Sequence, residues 1–310
     1  MDTMPDNSSI IYSSLQNIPH LKLLSTDDCR FTRLGGLTNL VYHVETDTEN
    51  LVVRLPGDGT EDYIDRAVEL HNAQAAHRAG VSPEILWADG ESGVMVSRYI
   101  DAVTMTPDKF SKRTGSPERA GLALAKLHNS DQQFQFRFEL FAMIDDYLKI
   151  LSGKNTTLPD GYADIVKAAQ PVKQILINNP VPLAPCHCDP LCENFLDDGV
   201  RMWIIDWEYS GMNDPLWDLG DLSVEAGFDN AQDLEMLRAY FGVEPNAAQL
   251  GRMVIYKAMC DLLWTLWGLI QHADDNPAED FWAYATGRFE RCKALMQSDE
   301  FADHLAAVQA

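Results

Sequence analysis

The chain has little positive charge. Its 310 residues include 24 lysines and arginines against 47 aspartates and glutamates, a formal net charge of −23 at pH 7. Nucleic acids and anionic membrane surfaces attract proteins through Lys and Arg, so this balance argues against either as a partner. The same excess of carboxylates is compatible with a small cationic substrate.

Long apolar runs and a basic N-terminus are also missing. We find no stretch that approaches the roughly 18–20 apolar residues needed to cross a bilayer. The first ten residues, MDTMPDNSSI, have neither the basic start nor the apolar centre of a signal peptide. The sequence therefore predicts a cytoplasmic protein without membrane insertion.

Cysteine is scarce for a disulfide-stabilised protein. Six cysteines in a chain of this length indicate reduced thiols and not a disulfide framework. Cys186, Cys188 and Cys192 lie around His187, which raises the question of a metal site. Their spacing is not a zinc pattern and a further pair of ligands is missing, so we expect these thiols to pack in the interior.

The order of strand and helix patterns predicts two lobes. Up to residue 100, alternating segments such as 31–34, 40–46 and 51–55 read as strands, and Gly93–Ile100 closes the series. One helix is predicted from Asp62 to about Arg78, with Gly80 as its stop signal. From residue 101 onward the patterns are helical.

The predicted fold class is α+β, a bilobal protein-kinase-like arrangement. Residues 1–100 would form a small β-rich N-lobe that binds the nucleotide through a sheet and one helix. Residues 101–310 would form a larger, mainly helical C-lobe with the catalytic loop and the substrate pocket. A chain of 310 residues is long enough for both lobes to have a core.

The segment CHCDPLCENFLDDGVRMWIIDWEYSGMNDPLWDLGDLSVE, residues 186–225, carries the chemistry. It contains an H-x-D-x-x-x-x-N element with Asp189 and Asn194, followed by an apolar strand that ends at Asp206. Phosphoryl transfer needs a base for the acceptor hydroxyl and oxygen ligands for Mg²⁺ in this order. We predict Asp189 as the catalytic base and Asn194 and Asp206 as the metal ligands. The alternative is a turn with surface acids, but the strand leading to Asp206 favours the first interpretation.

A glycine pair followed by two charged residues predicts the nucleotide side. Gly35 and Gly36 lie between two strands, where a loop without side chains can approach phosphates closely. A strand bearing Arg54 and a helix bearing Glu69 follow. In kinases a basic residue at this position contacts phosphates and pairs with the helix Glu; the alternative is two ordinary surface charges. The predicted nucleotide-binding residues are Gly35, Gly36, Thr38, Asn39, Arg54 and Glu69.

A tryptophan pair points to the substrate. Residues 247–272 have helical spacing, and at about 100° per residue Trp264 and Trp267 lie opposite an apolar stripe. Either another element covers the two indoles, or they form a wall for a cation, worth about 0.5–2 kcal/mol per contact. A quaternary ammonium donates no conventional hydrogen bond, so rings and a carboxylate suit it. Tyr209 and Glu225 would supply them. The stripe consists of Met259, Leu262, Leu266 and Leu269.

These motifs resemble the choline/ethanolamine kinase family, within the wider group that includes aminoglycoside phosphotransferases. The likeness spans most of the chain, from GGLTNLVYHV and LVVRLPG through HCDPLCEN and IIDWEYSGMNDPLWDLGDLSVE to DLLWTLWGLIQ. It implies a eukaryotic-kinase-like fold that uses ATP and Mg²⁺. It also assigns Tyr209, Glu225, Trp264 and Trp267 to the choline headgroup pocket.

The resemblance gives two further acids a role. Asp218 would brace the catalytic loop, where the alternative is an exposed helix N-cap. Glu208 would support the metal or the substrate, where the alternative is a solvated acid.

The sequence thus predicts ATP-dependent phosphorylation of the hydroxyl of choline or ethanolamine. The tryptophan pair leans toward a trimethylated headgroup, whereas a primary ammonium would benefit more from added carboxylates. One alternative is another cationic alcohol, such as an aminoglycoside or a thiamine-like compound. A second, of a different class, is an inactive cation-binding scaffold on a kinase fold. The sequence leaves the oligomeric state open.

Overall fold

An antiparallel sheet dominates the first hundred residues of the computed structural model, which describes residues 7–35, 39–57, 64–154 and 156–310. The five strands lie in the order β1-β2-β3-β5-β4. Helix α1 (Ser8–Gln16) packs its Ile11 and Leu15 with the buried face of the sheet, which includes Val44 and Val53. The strands are β1 (Arg30–Gly35), β2 (Asn39–Glu45), β3 (Asn50–Pro56), β4 (Ile85–Ala88) and β5 (Met95–Arg98).

The helix that follows β3 starts later than its sequence pattern predicted. Helix α2 spans Arg66–Arg78, because the side chain of Asp65 accepts hydrogen bonds from two first-turn amides and caps the helix there. The predicted helix included Ile64, which is not helical in the structure, so this part of the prediction is wrong. Residues 58–63, where the predicted start at Asp62 falls, lie outside the described part. Gly80 has a φ of +73°, the left-handed conformation typical of a helix stop.

In the described chain from residue 101 onward, nine helices form the larger lobe, with short strands between them. The helices are α3 (Pro107–Lys112), α4 (Ser116–His128), α5 (Leu140–Ser152), α6 (Tyr162–Asn178), α7 (Leu216–Ala226), α8 (Asn230–Phe241), α9 (Ala247–Ala273), α10 (Phe281–Met296) and α11 (Asp299–Gln309). The strands are β6 (Val103–Thr104), β7 (Ala184–Cys186), β8 (Phe195–Asp197), β9 (Met202–Ile204) and β10 (Gly211–Asn213). They pair as β6-β8-β9 and β10-β7. The mixed architecture confirms the α+β class.

Helix α9 is the central helix of this part and packs against α5, α7, α10 and α11. Its predicted apolar stripe is fully buried, but Asp261 and Trp264 on the opposite side are buried as well. Helices cover α9 on several sides, which agrees for Trp264 with the alternative that another element covers the indole. Contrary to the sequence-based expectation, α9 is also long and apolar enough to cross a membrane; most of it is buried inside the protein, as in a core helix.

The described residues form two separate apolar cores. The smaller lies between α1 and the five-stranded sheet, and the larger runs through the helical part. Ala73, Ala76 and Val81, from α2 and the turn after it, belong to the larger core, so α2 links the sheet to the helices. The boundary between the lobes at residues 100 and 101 stays a prediction.

Candidate active site

Asp218 on α7 holds the loop that contains Asp189. Its carboxylate accepts hydrogen bonds from the backbone N–H groups of His187 at 2.7 Å and Cys188 at 2.8 Å. His128 Nε2 donates to the same carboxylate at 3.0 Å. Asp218 is completely buried, so the alternative of an exposed N-cap is wrong. These contacts fix the backbone immediately before Asp189, where Cys188 has a φ of +68°.

One hydrogen-bonded chain connects the three predicted catalytic residues. Asn194 Nδ2 donates to the backbone oxygen of Asp189 at 3.1 Å. The backbone N–H of Ile205 donates to the Asn194 carbonyl at 3.0 Å, and Ile205 in turn accepts from His187 Nε2 at 2.8 Å. Asp206 follows directly. The amide nitrogen of Asn194 is thus engaged, which leaves its oxygen as the atom that can bind a cation.

Two arginines and three carboxylates form a charge cluster on the nucleotide side. Arg54 makes an ion pair with Glu69, and its Nη1 lies 3.4 Å from Asp206 Oδ1. Arg66 lies 2.9 Å from Glu69 and 2.8 Å from Glu208. The side chains of Arg54 and Glu69 are 12% and 2% exposed, so the alternative of ordinary surface charges is wrong.

Glu208 belongs to this charge cluster and is not a solvated acid. Its side chain is 6% exposed, and Asn39 Nδ2 donates to its Oε1 at 2.8 Å. The predicted nucleotide residue Asn39 therefore has its amide nitrogen bound to the protein. Gly35, with a φ of +134°, ends β1, and a Cβ added there would meet nothing within 4 Å. Gly36 and Thr38 lie outside the described residues.

Asp206 fits the role of a metal ligand. Burial and the charge of Glu208 raise its pKa to about 7, although Arg54 opposes the shift. Oxygens of Asp206, Glu69 and Glu208 lie within 4.8 Å of one another, and three carboxylates against two arginines leave one negative charge for a cation to balance. Carboxylate and amide oxygens are the ligands that Mg²⁺ prefers. Asp206 adopts a φ of +66°, which costs a non-glycine residue about 1–3 kcal/mol.

Asp189 interacts electrostatically with the charge cluster and with a second acidic group, Glu225. Burial raises the pKa of its carboxyl to about 8, and the charges of Glu225 and Asp206 contribute. A carboxylate with a raised pKa has a higher affinity for a proton, which suits a base that receives one from an alcohol.

The predicted aromatic residues take part in two groups of ring contacts. The rings of Tyr209 and Trp264 contact edge to face, with centroids 5.6 Å apart. Trp267 contacts Phe281 at 5.6 Å and Tyr284 at 5.8 Å. Trp264 is only 4% exposed, so coverage by other elements accounts for it, whereas Trp267 is only partly buried.

Glu225 does not stand alone as a free carboxylate. It forms an ion pair with Arg288 of α10, which also lies 3.2 Å from Asp261 and packs over the Tyr284 ring at 4.5 Å. Trp264 Nε1 donates to Asp221 at 3.3 Å. Asp221, Tyr284 and Arg288 were not predicted from the sequence. The spacing of Asp218, Asp221 and Glu225 at helical intervals of three and four was a usable signal for Asp221.

The cysteines around His187 pack in the interior. Cys186, Cys188 and Cys192 are buried and unbridged, and burial raises the pKa of each thiol. Cys186 Sγ contacts the Asn213 carbonyl, and His187 Nε2 is bonded to Ile205. This arrangement agrees with the expectation that these thiols pack.

Comparisons with known proteins point to one group of enzymes. The profile described as the phosphotransferase enzyme family matches residues 31–251. The chain is similar to the crystal structure of a choline/ethanolamine kinase family protein from Mesorhizobium loti, with 60% identity, a TM-score of 0.88 and coverage of 97% of this chain and 99% of the other.

Two more distant relatives are similar over most of their length. Choline kinase LicA from Streptococcus pneumoniae has 26% identity and a TM-score of 0.77, over 94% of this chain and 99% of LicA. Ethanolamine kinase 2 of Mus musculus is 27% identical over 88% of this chain and 77% of its own length.

Proposed function

Because the chain belongs to the choline/ethanolamine kinase family of phosphotransferases and is a kinase of small alcohols, we propose that it transfers phosphate from ATP to the hydroxyl of choline or ethanolamine. One observation carries the choice of acceptor. The carboxyl of Asp189 interacts electrostatically both with Asp206 of the charge cluster and with Glu225, whose partner Arg288 packs over the ring of Tyr284. A cationic alcohol held by the aromatic region would present its hydroxyl to Asp189.

Each predicted residue has a distinct task in this proposal. Asp189 orients the acceptor hydroxyl and receives its proton as the oxygen attacks phosphorus. Arg54, held by Glu69, binds phosphate oxygens. Asn194 and Asp206 hold Mg²⁺, which when bound neutralises charge on the phosphates. Asp218 keeps the loop in place through two backbone amides. Catalysis in this proposal depends on positioning and on charge neutralisation.

The headgroup would sit against aromatic faces. Tyr209 and Trp264 form one ring pair, and Trp267 forms another with Tyr284. Each pair also contacts a charged group: Trp264 contacts Asp221, and Tyr284 contacts Arg288. Indole is the strongest natural partner for a cation over a ring face. The carboxylates of the same region favour a positive charge over a neutral alcohol.

A substrate panel tests the proposal. Purified protein with radiolabelled ATP and Mg²⁺ should phosphorylate choline or ethanolamine with a kcat/KM at least about 100-fold above that for an aminoglycoside or thiamine, the difference expected when a site pairs polar groups with only one substrate. Preferred transfer to an aminoglycoside or thiamine would support the alternative acceptor class. No transfer to any acceptor would support the scaffold alternative.

Replacing Trp267 with alanine is expected to raise the KM for the cationic alcohol about 5–30-fold, the equivalent of one desolvated cation–π contact. The KM for ATP should stay within about twofold of wild type, because the ring contacts of Trp267 are with Phe281 and Tyr284 of α10 and not with residues of the charge cluster. Steady-state kinetics with each substrate varied in turn gives both constants. The matched control is Trp282→Ala, which removes a tryptophan that is 39% exposed on α10. If both KM values of the Trp267 variant stay at wild type, the aromatic site is elsewhere.

A further inference from the structure

The carboxylates around the aromatic region are not equally compensated. Glu225 pairs with Arg288, and Asp261 contacts Arg288 and lies 2.6 Å from Arg291. Asp221 is 1% exposed, and among the described residues no lysine or arginine contacts it. The region therefore holds one buried carboxyl group without an ion-pair partner.

The hydrogen bonding of Asp221 is incomplete. Its Oδ2 accepts one bond from Trp264 Nε1 at 3.3 Å, and its Oδ1 has no hydrogen-bond partner in the described part of the chain. An ionised carboxylate buried in this way is costly unless a positive charge lies close. The charged and titratable groups that interact with it are Glu225 on its own helix, Asp189 and Cys188 in the catalytic loop, Cys260 on α9, and Tyr284 and Arg288 on α10.

We propose that Asp221 is a positioning residue for the substrate cation, which takes up a proton in the empty pocket and releases it to solvent when the cation binds. The inference rests on the proposed function. Asp221 is buried behind Trp264, so it acts by charge and not by touching the substrate. Before the cation binds, Asp221 is a neutral carboxylic acid beside the Trp264 ring. After the cation binds, Asp221 is a carboxylate whose negative charge balances the ammonium, so the net charge of the pocket is unchanged.

The electrostatics agree with this assignment. Burial raises the pKa of Asp221 well above its usual range, and the charges of Glu225 and Asp189 raise it further. A cation nearby lowers the pKa again. Binding therefore releases a proton, and the affinity for the cation should increase with pH, by at most about tenfold per pH unit for one group.

The test compares choline with its uncharged isostere 3,3-dimethyl-1-butanol between about pH 6 and pH 9. With wild-type protein, Mg²⁺ and a non-hydrolysable ATP analogue, calorimetry in two buffers of different ionisation enthalpy should show proton release on binding choline and none on binding the isostere. Asp221→Asn should lose this release, and its KM for choline should lie near the low-pH value of wild type at every pH. The isostere should bind both proteins alike.

Two controls separate this role from a structural one. Asp189→Asn should retain the proton release, which excludes the catalytic carboxyl as its source. Asp233→Asn removes a buried carboxylate that pairs with Lys257 on α9, and the pH dependence should be unchanged. The wild-type calorimetry needs no variant, so a poorly folding Asp221→Asn does not weaken the test. The inference alone is overturned if the protein phosphorylates choline but binds it without proton release. It is also overturned if the proton release on binding persists in Asp221→Asn. Absence of phosphorylation of choline and ethanolamine removes the proposed function itself.

Discussion

Replacing Asp189 with asparagine is expected to lower kcat by about 10²–10⁴-fold, the usual contribution of a positioned general base. The substitution is nearly isosteric and leaves the loop intact, because Asn194 bonds to the backbone oxygen of Asp189 and not to its side chain. The affinity for ATP should therefore stay close to wild type. Turnover under saturating substrates and nucleotide titration by calorimetry measure the two quantities.

The stability of the Asp189 variant distinguishes a catalytic effect from unfolding. The fold raises the pKa of Asp189 to about 8, so its ionised form is disfavoured by burial and neighbouring charge. Removing the charge should leave the thermal midpoint unchanged or higher at neutral pH. Glu193→Gln, which neutralises an exposed acid in the same loop, is the control and should retain wild-type turnover. Turnover near wild type in Asp189→Asn would exclude this residue as the base.

Local sequence signals were sufficient for the framework of the site. Alternating patterns located four of the five strands of the sheet, with β4 not predicted, and Gly80 marked the end of α2. The strand β9 was found from the apolar residues that precede Asp206. The pairing of Arg54 with Glu69 was also predictable, since the order of strand and helix in a known motif implies it. These features depend on residues close together in sequence or on a pattern that keeps its order.

Features that depend on distant segments could not be read from the sequence. The ion pair between Glu225 and Arg288 requires α7 and α10 to lie side by side, and neither helix pattern specifies this neighbour. Arg66 is the first residue of α2, and its partner Glu208 lies 142 residues away in the sequence, so local patterns do not indicate this pair. The left-handed backbone of Asp206 had no signal either, because no glycine marks the position.

Replacing Asp206 with asparagine is expected to reduce kcat/KM for Mg·ATP by about 10³-fold or more, since a bound metal contributes several kcal/mol of charge stabilisation. Asparagine tolerates the left-handed φ of +66° nearly as well as aspartate, so the change removes the charge and not the backbone geometry. The activity should also require more Mg²⁺. Initial rates at increasing Mg²⁺ and fixed ATP measure both effects.

The same variant should be more stable than wild type when metal is absent. The role of Asp206 as a metal ligand can therefore be tested by measuring stability, without measuring turnover. The pKa of Asp206 rises from 3.8 to about 7 on folding, so the wild type loses stability as pH rises from about 4 to about 7, and the asparagine variant does not. Because a third of the side chain is exposed, we expect an advantage of only about 1 kcal/mol above pH 7 in chelator. Mg·ATP should reverse the order of stability, since binding stabilises only the protein that holds the metal.

Asp206→Ala, the control, should lose the same activity but be less stable than the asparagine variant by about 1 kcal/mol, because alanine is strained at this φ. An asparagine variant that Mg·ATP stabilises as much as wild type would contradict the assignment of Asp206 as a metal ligand.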